Sequence, residues 1–258
     1  MSMNDRYAYN NRLRSVDPAY KAALALAVLL TCLVANRPVV GLLASVWMYV
    51  LSTALAGLPG RAVARMLLAE LLFLALASVG IAIGIHSAAS AAPASGWSLQ
   101  LGPLSIVSSP QMLSTSFSAL FRALGATAAL NFFALTTPLV DLVNLLRRAR
   151  APMLLIDLMT VTYRFIFILF ETLERIYSAQ CCRLGYSSSR RSLVSAGRLG
   201  SRLFIDAYRR SQRLQIALDA RGFDGVLRVL PRTYIASPDL IWLGAAAVAS
   251  LVIVRILV

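Results

Sequence analysis

Two short runs, Arg183-Leu184-Gly185 and Ala220-Arg221-Gly222, hold the residue types with the most defined chemistry in this chain. An arginine offers a planar fork of donors that matches acidic or carbonyl groups on a partner. In each run the spacing predicts an arginine in the last turn of a helix and a glycine in the left-handed position that ends it. A basic residue beside the negative end of a helix is also an ordinary stop signal, so either run alone fits a plain cap. Both runs fall within one long polar interruption, Glu171 to Gly225, of an otherwise apolar chain.

Other reactive groupings are missing from the sequence. No glycine-rich loop ends in Lys-Ser or Lys-Thr, so the chain is not expected to hydrolyse ATP. His86 is the one histidine, and the scattered acids make no metal-ligand pattern, since chelation needs several converging donors. Cys32 falls in an apolar run, and Cys181 and Cys182 are adjacent, a poor spacing for chelation or a disulfide. A Ser-His-acid arrangement has no support from a single histidine in a charge-free stretch. We expect no catalytic residue, no resident metal and no cofactor in this chain.

The second arginine end needs a helix behind it. From about Leu203 to Arg221, the positions Phe204, Ala207, Tyr208, Ser211, Leu214, Ala217 and Leu218 form one stripe at helical spacing, flanked by Arg202, Arg209, Arg210 and Arg213. Asp206 precedes Arg210 by four residues, the favourable order for a side-chain pair. Such an amphipathic helix calls for a partner.

Composition says where these helices sit. Of 258 residues, 59% are hydrophobic and 14% charged, and mean hydropathy is +0.72. That is too apolar for a soluble domain and predicts an all-α, polytopic membrane bundle. The net charge of +14 comes from arginines and one lysine, Lys21. A basic balance can serve nucleic acid, but cytoplasmic loops obeying the positive-inside rule account for it at less cost, so no nucleic-acid partner is expected.

Five crossings are expected. Residues 1–19 are polar and read as no secretory signal; Asp17-Pro18 then caps a first span, Ala19 to Ala35. A turn at Asn36-Arg37-Pro38 leads to a second span, Val39 to Leu58, long enough for a hydrocarbon layer of about 30 Å. Arg61 and Arg65 mark the next turn as cytoplasmic, and a third span follows from about Met66 to Ile85, with Glu70 expected to snorkel or to pair with Arg65. His86 to Pro110 has no charge and many Ala, Ser, Gly and Pro, and reads as an extracytoplasmic loop. A fourth span, about Leu113 to Leu135, contains Arg122; Thr136-Thr137-Pro138 then starts a short helix ending at Arg148. The last span is Leu240 to Val258. Residues 152–176 are apolar but hold Asp157, Arg164, Glu171 and Glu174. Were they to cross, the arginines from Arg175 to Arg232 would lie outside, against the charge rule, so this helix is placed at the cytoplasmic face. The expected organisation is a four-span bundle (1–135), a cytoplasmic helical region (136–236) and a last transmembrane helix (237–258), with the N-terminus inside.

The run Leu218-Asp219-Ala220-Arg221-Gly222-Phe223 resembles the second Ala-Arg-Gly signature of the transmembrane, or T, component of energy-coupling factor (ECF) transporters, cobalt-type CbiQ. Ala179-Gln180-Cys181-Cys182-Arg183-Leu184-Gly185 resembles the first, with a leucine between arginine and glycine. Asp17, Pro18 and Lys21 look like the family's opening, and Thr136-Thr137-Pro138 like the step before its cytoplasmic coupling helices. The resemblance implies a non-enzymatic coupling subunit of a cobalt or nickel importer in a bacterial inner membrane. Ala179, Arg183, Gly185, Ala220, Arg221 and Gly222 would then couple it to two cytoplasmic ABC-type ATPase subunits, which bind the ATP. A CbiM-like substrate subunit, with a small CbiN-like protein, and membrane lipids would be the other partners. The alternative is a membrane-embedded enzyme or lipid-handling protein whose basic segment binds anionic headgroups.

Overall fold

Pro18, Pro38, Pro110 and Pro238 each open a helix, where a missing N–H costs no hydrogen bond and φ is already set. The structure is a computed structural model and describes residues 7–35, 37–82, 84–87, 97–101, 104–225, 234 and 238–257. We number the helices α1 (Pro18–Val34), α2 (Pro38–Val50), α3 (Gly60–Ala82), α4 (Pro110–Thr136), α5 (Leu139–Arg148), α6 (Met153–Cys182), α7 (Ser189–Asp219) and α8 (Pro238–Leu257). The chain divides into two compact units. Residues 139–232 form a hairpin unit, and residues 2–138 with 233–258 form a bundle unit.

In the bundle unit, α4 packs against α1, α2 and α3, and α8 packs against α1 and α2. Val28, Val40, Ala44, Ala129, Phe132 and Leu251 are fully enclosed in its core. The tightest approach joins α2 to α4 through two glycines. A Cβ on Gly41 would stand 2.1 Å from the Phe121 carbonyl oxygen, and one on Gly125 would stand 2.7 Å from the Gly41 oxygen. Small residues that let backbones touch are how helices associate where lipid supplies no hydrophobic drive. The outer face of α3 is apolar, with Leu72 76% and Leu76 75% exposed, a surface suited to lipid rather than water.

Two features that the sequence left apart meet here. Asp17 caps α1 by accepting from the Ala19 N–H at 3.0 Å, and Lys21, one turn on, is completely buried. Its Nζ donates to the Thr136 carbonyl at 3.1 Å. Asn11 Nδ2 reaches the Leu135 and Thr136 carbonyls at 3.4 and 3.3 Å. The last carbonyls of α4, orphaned within their own helix, thus take side-chain donors, one of them a cation at the negative end of the dipole.

Several boundaries differ from expectation. Helix α3 begins at Gly60, so Arg61 and Arg65 belong to its first turns and not to a loop before it. Glu70 receives Asn131 Nδ2 from α4 at 2.5 Å in place of the expected Arg65; α4 lies against α3, and an amide there competes without having to bend back along the same helix. The second span ends in a π-helical turn, Leu51–Leu55, where Ala56 N–H bonds to the Leu51 carbonyl at 3.2 Å.

The charge-free segment contributes to a three-stranded antiparallel sheet. Strands β1 (Gly84–Ser87), β2 (Trp97–Leu101) and β3 (Leu104–Ser108) lie in the order β1-β3-β2, with Ile85 opposite Ile106 and Leu99 opposite Ile106 on the other side. Strand pairing satisfies backbone groups that an apolar segment cannot leave bare. The rest of the expected loop, 88–96 and 102–103, lies outside the described residues, as do residues 1–6 and the end of the last span at Val258.

Among the described residues, four helices are long and apolar enough to cross a membrane: Pro38–Leu55 with its π turn, Gly60–Ala82, Pro110–Thr136 and Met153–Cys182. Pro18–Val34 and Leu240–Ile256 are shorter apolar helices. By length and composition α6 therefore qualifies where the sequence reading set it aside, because Glu171, Glu174 and Arg175 all follow Phe170 and leave only Asp157 and Arg164 in the eighteen residues before them. The protein is a helical membrane bundle.

Candidate functional site

The hairpin unit holds every residue proposed for coupling. Its three helices, α5, α6 and α7, all stop in the same way. In each, the amide two places past the last cap residue bonds back to the third-last carbonyl, and the amide before it bonds to the second-last. The donor-acceptor pairs are Ala151 to Leu146 at 3.1 Å and Arg150 to Arg147 at 3.2 Å; Gly185 to Gln180 at 2.9 Å and Leu184 to Cys181 at 3.0 Å; Phe223 to Leu218 at 3.1 Å and Gly222 to Asp219 at 3.0 Å. The residue in the left-handed conformation is Arg150 (φ 59°), Leu184 (φ 55°) and Gly222 (φ 71°) respectively.

This corrects the reading of the first arginine end. Gly185 is not the left-handed residue; Leu184 is, and Arg183 immediately precedes it just as Arg221 precedes Gly222. The two arginines therefore occupy equivalent cap positions, while Gly185 is the counterpart of Phe223. By the same register Cys182, not Ala179, is the counterpart of Ala220; Ala179 is an exposed residue of α6 one turn before Arg183. Arg183 and Arg221 are both exposed.

Gly185 is small for another reason. A Cβ there would meet the Gln180 carbonyl oxygen and Ser195 Oγ, each at 2.9 Å. Ser195 is buried, and its Oγ donates to the Gly185 carbonyl at 2.9 Å, while Gln180 Nε2 donates to the Ser195 carbonyl at 3.1 Å. Tyr186 OH donates to Gln180 Oε1 at 2.8 Å and its ring rests against Tyr177, centroids 4.9 Å apart. These contacts pin the end of α6 to the first turns of α7 and make the two an antiparallel hairpin.

Helix α7 starts at Ser189, where the Ser188 hydroxyl caps it, fourteen residues before the expected Leu203. Serines, arginines, Gly197 and Gly200 hide this first part from a hydrophobic-period reading, and its ordering comes from the cap and from Ser195. The covered face also differs. Ser192, Ser195, Leu199, Leu203, Asp206, Ala207, Arg210, Leu214 and Leu218 are the buried or half-buried positions, whereas Phe204 and Tyr208, expected on the covered stripe, are 74% and 57% exposed. The helix carries two apolar strips; one faces α6 and the other is open. Asp206 pairs with Arg210 at 3.0 Å, as the spacing predicts. Arg175 pairs with Glu171 one turn earlier on α6.

Farther from the turn, α6 and α7 separate and leave a cleft of about 550 Å³. Thr160, Val161, Phe165 and Ile168 of α6 and Leu214 and Leu218 of α7 line it, with Arg164, Arg210, Arg213 and Arg221. Among the described residues, no three His, Cys, Asp or Glu side chains converge to hold a metal ion.

Lipid-compatible helices joined in one chain to an arginine-rich helical hairpin make this a polytopic membrane protein. A family model described as cobalt transport protein, CbiQ, matches residues 10–233. The chain belongs to the CbiQ family. It is 27% identical over 230 residues to an uncharacterised protein of Methanocaldococcus jannaschii, covering 88% of this chain and 82% of that one. It is 38% identical over 140 residues to the cobalt transport protein CbiQ of Rhodobacter capsulatus, covering 54% and 57%. Against the energy-coupling factor transporter transmembrane protein EcfT of Staphylococcus aureus it is 29% identical over 121 residues, covering 40% and 42%. The match thus spans little more than half the length of the relative named for cobalt transport.

Proposed function

We propose that this chain is the transmembrane coupling subunit of an ATP-driven ECF-type importer whose cargo is cobalt or nickel. It links two cytoplasmic ABC-type ATPase subunits to a CbiM-like substrate subunit accompanied by a CbiN-like small protein. The observation that carries this reading is the repeated helix end: Arg183 and Arg221 stand exposed at equivalent cap positions, each on a helix of 30 residues or more. Names given to the relatives, cobalt transport protein and energy-coupling factor transporter transmembrane protein, point the same way.

The mechanics follow from the hairpin. An exposed guanidinium at a helix end offers a rigid fork to acidic or carbonyl groups in a partner's groove, and the open strip around Phe204 and Tyr208 adds apolar area to bury. Because Ser195, Gln180 and Gly185 lock α6 to α7 near the turn, ATP-driven closure of two partners gripping the helix ends moves the pair as levers. ATP binding and hydrolysis belong to the partners, and this chain is not an enzyme. Residues 1–135 and 237–258 form the membrane part and 136–236 the cytoplasmic part of a multi-pass inner-membrane protein, with the N-terminus inside and α6 at the cytoplasmic face, as the arginines that follow it require. Single cysteines at Ser188 and Val258 in a cysteine-free variant then react with an impermeant reagent from opposite sides of the membrane.

The deciding experiment is affinity purification from the native host with partners identified by mass. Two ATPase copies and a second membrane subunit in fixed stoichiometry are expected. Catalytic turnover by the isolated chain, with no ATPase bound, would instead favour a membrane enzyme or lipid-handling protein and end the coupling reading.

A further inference from the structure

We infer that the cleft between α6 and α7 is a binding site for one anionic phospholipid. Its two walls have different chemistry. One is α6, apolar enough by composition to lie in a membrane, contributing Val161, Phe165 and Ile168; the other is the basic end of α7, contributing Leu214 and Leu218 below Arg210 and Arg213. Arg164 adds a third guanidinium, the fourth, Arg221, being the one proposed above for a partner's groove, and no carboxylate is among the lining residues. Asp206 offsets one charge through Arg210, and Asp157 lies a turn before Val161, outside the lining. The site therefore retains a net positive rim over an apolar floor.

That combination selects an amphiphile. A phosphodiester accepts paired hydrogen bonds from arginine forks, and an acyl chain covers the apolar floor. A free phosphate leaves the floor bare. An acidic helix from a partner protein is the competing occupant, and the crosslinking arm of the test below separates it from lipid. This inference stands on the cleft alone and does not depend on the ATPase partners.

The test is native mass spectrometry of the full chain in detergent, titrated with phosphatidylglycerol, with phosphatidylcholine of the same chains, and with inorganic phosphate. One phosphatidylglycerol should be retained about tenfold or more over phosphatidylcholine, and phosphate at the same concentration should not displace it. Arg164→Gln with Arg213→Gln should bring retention down to the phosphatidylcholine level. Leu214→Trp fills the floor and leaves every guanidinium in place, so it should also lower retention, which simple charge attraction does not predict. Unchanged preference in both variants overturns the proposal, and so does displacement by phosphate. A photoreactive residue at Leu218 that attaches to a polypeptide in the assembled complex, and not to lipid, overturns it as well. A failed lipid titration with ATPase subunits still bound would leave the coupling reading standing, and the reverse outcome would leave the lipid site.

Discussion

At the end of α7 the left-handed residue is Gly222, with φ 71° and open space where a Cβ would stand; at the end of α6 it is Leu184, with φ 55°, and the glycine one place later is hemmed in by atoms 2.9 Å from its missing Cβ. The hydrogen bonds that close the two ends are the same. Glycine serves backbone conformation at one end and close packing at the other. The arginine, not the glycine, is what both ends share in position, which is what a docking role for Arg183 and Arg221 requires and a role as incidental caps does not.

Reversing the arginines tests that comparison most severely. If both anchor the chain in desolvated grooves, Arg221→Glu costs roughly 2 kcal/mol or more of association, because the charge is turned against the partner's acceptors. Arg183→Glu is expected to match it, given the equivalent positions. The double variant should insert normally and lose its ATPase subunits and ATP-driven uptake; full uptake would make both arginines mere caps. Copurification and uptake assays in one strain read both outcomes.

Next in size is Gly185→Ala, which forces a Cβ against the Gln180 carbonyl and Ser195 Oγ and should cost about 2 kcal/mol of local stability. Faster amide exchange at Gly185 and along the Ser195 turn would report it; protection equal to the native chain would mean that the glycine is dispensable. Two smaller changes should have opposite signs. Gly222→Ala meets no neighbour, so its cost is that of the left-handed conformation, about 1 kcal/mol. Leu184→Gly relieves the same strain and should stabilise the end of α6 by about 1 kcal/mol, seen as roughly fivefold slower exchange at Leu184 and Gly185. If Leu184→Gly speeds exchange, leucine is doing something there beyond tolerating its φ.

Much of the architecture was legible because it is local. Pro18 opened a helix where expected, whereas Pro38 and Pro110, read as turn and loop residues, proved to be the first residues of theirs; Asp17 capped α1, Asp206 paired with Arg210, and the apolar runs became helices within a few residues of their expected limits. The same locality misled at Leu184, since glycine is the usual left-handed residue and nothing in the run Cys182-Arg183-Leu184-Gly185 says that leucine takes the strain instead. Helix α7 was read too short because its first half has no apolar period, only a serine cap and a tertiary contact.

The start of α1, the apolar lengths and an arginine at each of two helix ends were determined by the sequence itself, because caps, periodicity and dipole act within a turn or two of the chain. The tertiary structure decided which strip of α7 is covered and which stays open, since both are apolar and only packing against α6 chooses. It decided that Gly185 makes room for Ser195 and that Gly41 and Gly125 bring α2 and α4 into backbone contact. It also brought Lys21 and Asn11 to the last carbonyls of α4, more than a hundred residues away in the chain. Such pairings depend on which surfaces meet, and no local propensity records that.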